Sequence, residues 1–177
     1  VGSASEAPPG PLVLMVTDMV GFSTFVERVG DVRAQATIHV HNRAIRFQLA
    51  RHHGKEVTHT GDGFMASFRS GDEAAACAVA IQRQFARYSD DHPDGPIRVR
   101  VGLNAGRVLP EEDRLFGAAL NAAVRVCGQA VAGQILLSES ARAMSGAAVG
   151  AKARPLGTYA LKGCAEAVPI YELAWSV

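Results

Sequence analysis

The sequence predicts an α+β fold in which helices pack on a largely antiparallel sheet. Three observations predict it: apolar runs of strand length, long helical stretches between them, and an Asp-Gly turn joining two β-rich runs. Hydrophobic residues make up 48% of the 177-residue chain, which is enough for a buried core. We expect one domain over 12–177, preceded at 1–11 by a small, proline-rich leader outside the fold.

The first half of the chain is expected to supply a strand, helices and a hairpin. "LVLMVTD" is a short apolar strand, and the stretch over 22–54 has helical composition with a hinge near Gly30. "KEVTHTGDGFMASF" predicts a hairpin turning at Gly61-Asp62-Gly63, because Asp-Gly tolerates the positive φ of tight turns. Apolar residues then recur at helical spacing over 72–88.

The second half continues this alternation. "IRVRVGLNAG" alternates apolar with polar residues, which predicts a strand covered on one face. "AALNAAVRVCGQAV" is a helix, "GQILLS" a strand, and Ser138 caps a short helix, before "TYALKG" and "VPIYELA" form a final pair of strands. This order predicts that the helices lie on one face of the sheet.

Composition excludes several classes of function. The net charge of +1 provides no strong field for nucleic acid or an anionic membrane, and no apolar run is long enough to span a bilayer. The three cysteines are widely separated and have no CxxC spacing, which argues against a disulfide framework and a zinc site. We expect a cytoplasmic domain with neither nucleic-acid nor membrane partners.

Two carboxylates stand out by position. Asp18 ends the first strand, and Asp62 lies in the hairpin turn. If that strand lies beside the hairpin, both project from the same end of the sheet, where they could hold hard divalent cations together with phosphate oxygens. Two such ions stabilise the attacking and leaving oxygens of a phosphoryl displacement. Each aspartate also has an ordinary interpretation, as a helix cap or as a turn residue.

Five sequence blocks decide between these interpretations. "VTDMVGFS", "THTGDGFMASF", "VRVGLNAG", "FGAALNAAVRV" and "GTYALKG" occur in the order and spacing of the class III nucleotidyl cyclases, the adenylate and guanylate cyclase catalytic domains. The chain resembles that family over nearly its whole length. The resemblance implies a ferredoxin-like βαββαβ core, an antiparallel sheet with helices packed on it, and a homodimer with two composite active sites.

The resemblance also implies a role for particular residues. The metal site would hold two divalent cations, Mg²⁺ or Mn²⁺, at Asp18, Met19 and Asp62. Asn121 and Arg125 of the other protomer would orient the ribose and stabilise the transition state; four residues apart, they share one helix face. The triphosphate of a nucleoside triphosphate substrate would be bound by Val20, Gly21, Phe22, Ser23, Thr24 and Lys162.

The positions that read the base in this family depart from its pattern. They are Thr58 and Arg114 here, and neither matches the adenylate or guanylate cyclases. Arginine has no acceptor for the amino group of adenine, but it suits the carbonyl oxygens of guanine or uracil. Asp113, one position away, would restore an acceptor if the connector were shifted.

The chain also resembles the branch of the family, found beside phage-defence effectors, that makes cyclic UMP or cyclic CMP. The order of preference is therefore a pyrimidine, then GTP, then ATP, with the product a second messenger of antiviral defence. Two other functions stay open: a catalytically silent regulatory module that dimerises, and another two-metal enzyme with a palm-like fold.

Overall fold

The computed structural model describes residues 10–111 and 114–176, and their side chains except at 110, 111 and 114–116. Residues 1–9 of the predicted leader therefore lie outside the described residues. The elements in chain order are β1 (Leu12–Met19), α1 (Phe22–Val29), α2 (Asp31–Arg51), β2 (Lys55–His59), β3 (Gly63–Phe68), α3 (Gly71–Asp91), β4 (Val99–Gly106), β5 (Leu109–Glu111), β6 (Arg114–Phe116), α4 (Ala118–Gln129), β7 (Ile135–Ser138), α5 (Glu139–Ala143), α6 (Ala147–Lys152), β8 (Ala153–Tyr159) and β9 (Val168–Leu173).

The sheet confirms the predicted fold class. Seven strands lie in the order β2-β3-β1-β4-β7-β9-β8, and β5 pairs with β6 in a separate ribbon. Within the sheet β4 and β7 are parallel and the other neighbouring pairs are antiparallel. The first four positions, β2-β3-β1-β4, follow the βαββαβ connectivity of a ferredoxin-like core. Within the described residues, no helix is both long and apolar enough to cross a bilayer.

Helices cover both faces of the sheet, so the prediction of a single covered face was wrong. Val13 and Met15 belong to the core that includes α2 and α3, whereas Leu14 and Val16 belong to a second cluster with α4. Successive strand residues point to opposite faces, and β1 is apolar at each of these positions. Such a continuous apolar run is typical of a strand that is buried on both sides.

Strand β4 shows why α4 can pack on the face expected to be open. A Cβ on Gly102 would lie 2.3 Å from the backbone nitrogen of Cys127, so a larger residue would displace α4. Asn104, on the polar side of the strand, is also buried. Its amide donates to the Ala119 carbonyl at 2.9 Å, and its side-chain oxygen accepts from Ser138 at 2.6 Å. Hydrogen bonding thus compensates for burial of this polar group.

The final strand pair differs in extent from the prediction. β8 begins at Ala153 and ends at Tyr159, so "TYALKG" contributes only its first two residues. The following residues form a turn in which Leu161 is buried in a cluster with Val126, Ala130 and Ile170. This packing places the Leu161–Lys162 turn beside the C-terminal part of α4.

Candidate active site

Strand pairing brings the two predicted metal-binding aspartates to one end of the sheet. β1 runs antiparallel to β3, and Asp18 lies opposite Gly63, the residue after Asp62. The Met19 N–H donates to the Asp62 carbonyl at 2.9 Å, which ties the strand end to the hairpin turn. Both aspartate side chains are half-buried. A carboxylate pair of this kind has the oxygen ligands that Mg²⁺ or Mn²⁺ takes.

Glycine allows the turn to approach β1 this closely. A Cβ on Gly63 would lie 2.8 Å from the Thr17 carbonyl oxygen, and Gly61 has a φ of 74°. The Thr17 hydroxyl accepts from the Phe64 N–H at 3.2 Å across the same junction. A side chain at 63 would therefore push the hairpin, and Asp62 with it, away from Asp18.

Arg100 holds one oxygen of Asp18, an interaction that our sequence analysis missed. Its Nε and Nη2 donate to Asp18 Oδ2 at 2.9 and 2.7 Å, and the two side chains are 31% and 34% exposed. Its Nη1 donates to the carbonyls of Gly128 and Ala130 at 3.3 and 3.4 Å, at the end of α4. Asp18 Oδ1 takes no part in these bonds and remains for another ligand. The sequence feature that could have revealed this contact is the arginine on the polar side of "VRVG". This segment belongs to β4, which pairs directly with β1.

The start of α1 lies directly after Asp18 and is suited to an anion. Gly21 adopts a left-handed conformation with φ 74° and ψ 17°, and no side chain caps the helix. The amides of Phe22, Ser23 and Thr24 lie in the first turn, where no intrahelical acceptor exists. Such amides, together with the helix dipole, bind phosphate oxygens.

One amide expected at the phosphates, that of Val20, is occupied, and so is the amide of Met19 in the predicted metal site. The Val20 N–H donates to the Arg98 carbonyl at 2.8 Å, and the Met19 N–H donates to Asp62. The backbone amides that remain available for the phosphates are therefore those of residues 21–24. The Met19 side chain is 7% exposed and packs in the core, so only its backbone could contact an ion.

Asn121 and Arg125 lie on the exposed face of α4, as their spacing predicts. Arg125 lines a cavity of about 470 Å³ with Asp18 and Arg100 of the same chain, whereas Asn121 does not line it. Lys162 is exposed beside the other end of this helix. It follows β8, which is four strands from β1, a separation of about 19 Å. The strand that precedes Lys162 thus lies well away from Asp18 in the sheet.

The base-recognition residues are placed only in part. Thr58 is exposed on β2 and lies opposite Met65 of β3, at a register shift in the pairing. Met65 lines the cavity that contains Asp18, but Thr58 does not. Arg114 lies on β6, and its side chain is outside the described residues.

A buried histidine, His41, lies close to the hairpin turn that contains Asp62. The His41 side chain is 0% exposed, and its ring stacks on Phe85 at 5.5 Å and lies 5.9 Å from Phe64. Its Nδ1 bonds to the Asn42 side-chain oxygen at 2.9 Å, while Nε2 has no hydrogen-bond partner among the described residues. Burial lowers the pKa of His41, and the charges of Asp62 and Asp18 oppose this shift only in part.

Comparison with known proteins identifies the family. The family model for the adenylate and guanylate cyclase catalytic domain matches residues 6–174. The serine/threonine-protein kinase pkn2 of Myxococcus xanthus is 29% identical over 171 residues, which are 96% of this chain and 20% of the kinase. The adenylate cyclase of Mycosarcoma maydis is 32% identical over 158 residues, which are 75% of this chain and 6% of that protein. This chain thus spans a small part of each of these longer relatives.

A solved structure gives the same result for the fold. The crystal structure of an adenylate/guanylate cyclase/hydrolase from Silicibacter pomeroyi superposes with a TM-score of 0.83 at 26% identity, and the match covers 92% of this chain and 95% of that one. The match of the family model over most of the chain agrees with this superposition. The chain belongs to the family of adenylate and guanylate cyclase catalytic domains.

Proposed function

We propose that this domain converts a nucleoside triphosphate into a 3′,5′-cyclic nucleoside monophosphate and pyrophosphate, as a cytoplasmic homodimer that uses two divalent cations. One observation carries the proposal: the backbones of Asp18 and Asp62 come together at one end of the sheet, directly before the uncapped N-terminus of α1. Paired carboxylates and free helix amides are the two kinds of group that a metal–triphosphate complex needs.

Each group of this site has a distinct task. The cations, when bound, lower the pKa of the ribose 3′-OH and neutralise charge on the phosphates. Asp18 and Asp62 hold them, and the first-turn amides of α1 orient the triphosphate for in-line attack on the α-phosphorus. The new bond joins O3′ to that phosphorus as the bond to the leaving pyrophosphate breaks. Arg100 donates to Asp18 Oδ2 and so orients this carboxylate toward the cations.

We propose that the remaining groups come from the second protomer. Asn121 and Arg125 are exposed on one face of α4, and Lys162 is exposed beside the C-terminal part of the same helix. The exposure of Asn121 and the family resemblance support a site between two copies, in which Arg125 stabilises the transition state, Asn121 orients the ribose and Lys162 binds the terminal phosphates. The alternative, in which Arg125 acts within its own chain, rests on the cavity that it lines with Asp18.

Complementation tests the composite site. Asp18→Ala and Arg125→Ala homodimers should each lose at least a hundredfold in activity, a typical loss for one transition-state group. Mixing the two variants should restore activity, because a heterodimer keeps one intact site. If native mass spectrometry detects heterodimers and no activity returns, the proposal of a composite site is wrong.

We propose a pyrimidine base, with UTP or CTP as substrate, and GTP and ATP as the alternatives in that order. The support is chemical: Arg114 is a donor without acceptors, which suits the uracil carbonyls, and its bulk favours a one-ring base. The resemblance to the pyrimidine cyclase branch extends the proposal to a second messenger in antiviral defence.

The decisive experiment incubates the purified domain with ATP, GTP, CTP or UTP, with Mn²⁺ or Mg²⁺, and resolves the products by mass. A cyclic pyrimidine nucleotide is expected. Cyclic GMP or AMP would keep the cyclase and refute the base assignment, and a linear or dinucleotide product would indicate another two-metal enzyme. Asp18→Asn should abolish product, whereas Asp90→Asn, at an exposed position on α3, should not.

A fourth result would overturn the enzymatic proposal itself. If a dimeric, metal-bound preparation gives no product and no pyrophosphate with any of the four triphosphates, the domain is a regulatory module. The antiviral role is tested by phage infection of cells that carry the full-length gene. Loss of protection with Asp18→Asn is expected, and unchanged protection would refute that role.

A further inference from the structure

Arg46 ties the β2–β3 hairpin to helix α2. Its guanidinium donates twice to one carboxylate, from Nε to Glu56 Oε2 at 2.8 Å and from Nη2 to Glu56 Oε1 at 3.0 Å. Two such bonds fix the relative orientation of both planar groups as well as their distance. Because Ile45 and Leu49 anchor α2 in the core, this pair holds β2 against a helix that is itself fixed.

A shift in strand register brings a second β2 residue to this pair. In the ladder with β3, Glu56 lies opposite Ala66, and after a register shift that precedes Thr58, His59 lies opposite Phe64. Ala66 and Phe64 are two residues apart and therefore share one face of β3. The shift thus brings Glu56 and His59 to that same face, although they are three residues apart in β2. Glu56 Oε1 consequently lies 3.0 Å from His59 Nδ1.

The ring of Phe64 lies beneath these side chains. The guanidinium carbon of Arg46 is 5.2 Å from the centre of this ring, and the His59 ring stacks on it at 5.4 Å. Phe64 is 1% exposed. A guanidinium over an aromatic face is a favourable contact. Arg46 therefore contacts both strands of the hairpin, β2 through Glu56 and β3 through Phe64.

These contacts lie at both ends of the turn that carries Asp62. His59 is the last residue of β2 before the turn, and Phe64 is the second residue of β3 after it. The turn is short and is closed by a hydrogen bond from the Thr60 N–H to the Gly63 carbonyl at 2.9 Å. A displacement of either end of so short a turn also displaces Asp62.

An ordinary surface ion pair is the alternative interpretation of these contacts. The side chains of Arg46, Glu56 and His59 are 46%, 30% and 44% exposed, and ion pairs at such exposure contribute little to folding stability. However, the pKa of Glu56 is lowered, chiefly by its hydrogen bond with Arg46, so the carboxylate stays ionised and paired. We therefore expect the contacts to affect the position of the turn more than the stability of the fold.

We propose that Arg46 is a positioning residue of the candidate metal site, which fixes the hairpin turn so that Asp62 faces the same cation as Asp18. This inference rests on the proposed function, since it takes Asp62 as a metal ligand. Loss of a group that orients a metal ligand typically weakens metal binding by about 10–100-fold. Arg46 acts through the backbone of the turn, so we expect the lower end of that range, about tenfold.

Binding of Mn²⁺ alone, measured by electron paramagnetic resonance, tests this role without reference to any nucleotide base. Arg46→Met keeps the apolar stem of the side chain but loses both donors, and it should weaken Mn²⁺ binding about tenfold. Arg43→Met removes an exposed arginine three residues earlier on α2 and is the matched control, which should change binding less than twofold. Arg46→Lys keeps the charge but loses the two parallel bonds, so its affinity should lie between those of Arg46→Met and the wild type.

A charge swap separates the ion pair from simple packing. Arg46→Glu alone should weaken Mn²⁺ binding at least as much as Arg46→Met, because it places two carboxylates together. Arg46→Glu/Glu56→Arg exchanges the partners and should restore the affinity to within threefold of the wild type. Hydrogen exchange should also become faster over residues 59–64 in Arg46→Met and stay unchanged in β7 and β9, whereas a general loss of stability would accelerate exchange in all three segments.

Three results would overturn the inference, and they are distinguishable from one another. If Arg46→Met binds Mn²⁺ within twofold of the wild type while Asp62→Asn loses at least tenfold, the metal site stands and Arg46 has no role in it. If Asp62→Asn binds Mn²⁺ as well as the wild type does, the metal site itself is wrong and the role of Arg46 falls with it. If the charge swap is folded by circular dichroism and restores no affinity, the ion pair does not position the turn. Should Arg46→Met fail to fold, Arg46→Lys takes its place in the first comparison.

Discussion

Replacing Arg100 with glutamine tests how the candidate active site is held together. The change removes two hydrogen bonds to Asp18 Oδ2, of 2.7 and 2.9 Å, and two longer ones to carbonyls at the end of α4. Hydrogen bonds to charged groups contribute about 1.5–3 kcal/mol when buried, whereas exposed ion pairs contribute about 0–1 kcal/mol. Both side chains are about one third exposed, so we expect a loss of about 1–2 kcal/mol.

Urea denaturation measures this loss. With a slope of about 2–3 kcal/mol per M, the urea midpoint of Arg100→Gln should fall by about 0.5 M. A double-mutant cycle with Asp18→Asn isolates the pair, and we expect a coupling free energy of about 1 kcal/mol. Arg69→Gln, which removes an exposed arginine after β3, is the matched control and should leave the midpoint unchanged.

The same substitution should reduce activity more than it reduces stability. Arg100 orients Asp18, and the loss of a partner that orients a metal ligand typically costs about 10–100-fold in activity. We therefore expect kcat to fall about 10–100-fold while the folded fraction stays above nine tenths in buffer. A midpoint unchanged from wild type, or a kcat within threefold of it, would refute the role deduced from these contacts.

Two further predictions follow from buried positions. Gly102→Ala should lower the urea midpoint by an amount equivalent to about 1–3 kcal/mol or more, because the new Cβ would lie 2.3 Å from the Cys127 nitrogen. Gly128→Ala is the control, because a Cβ at that position meets nothing within 4 Å. His41 has a lowered pKa, so below pH 6.5 the unfolded state binds a proton that the folded state does not, and stability falls with falling pH. Between pH 6.5 and 5.5 the wild type should lose up to about 1 kcal/mol more than His41→Leu by urea denaturation, and equal losses would contradict this assignment.

Local patterns in the sequence were sufficient for much of the fold and for the location of the two carboxylates. The hairpin at Gly61-Asp62-Gly63 follows from turn chemistry, and the shared face of Asn121 and Arg125 follows from helix periodicity. Both depend on residues that are close in the chain. The predicted meeting of Asp18 with the hairpin needed one assumption, that β1 lies beside it, and the sheet order shows that pairing.

Only the tertiary structure decided the features that depend on distant residues. Arg100 reaches Asp18 across 82 positions because β4 pairs with β1 in one particular register, which no local pattern specifies. The second covered face arises in the same way, since Gly102 leaves room for α4 only once β4 and that helix are packed together. The sequence by itself thus determined most of the elements and the chemistry of their ends. Strand register and helix packing decided which of those ends meet, because both depend on contacts between residues far apart in the chain.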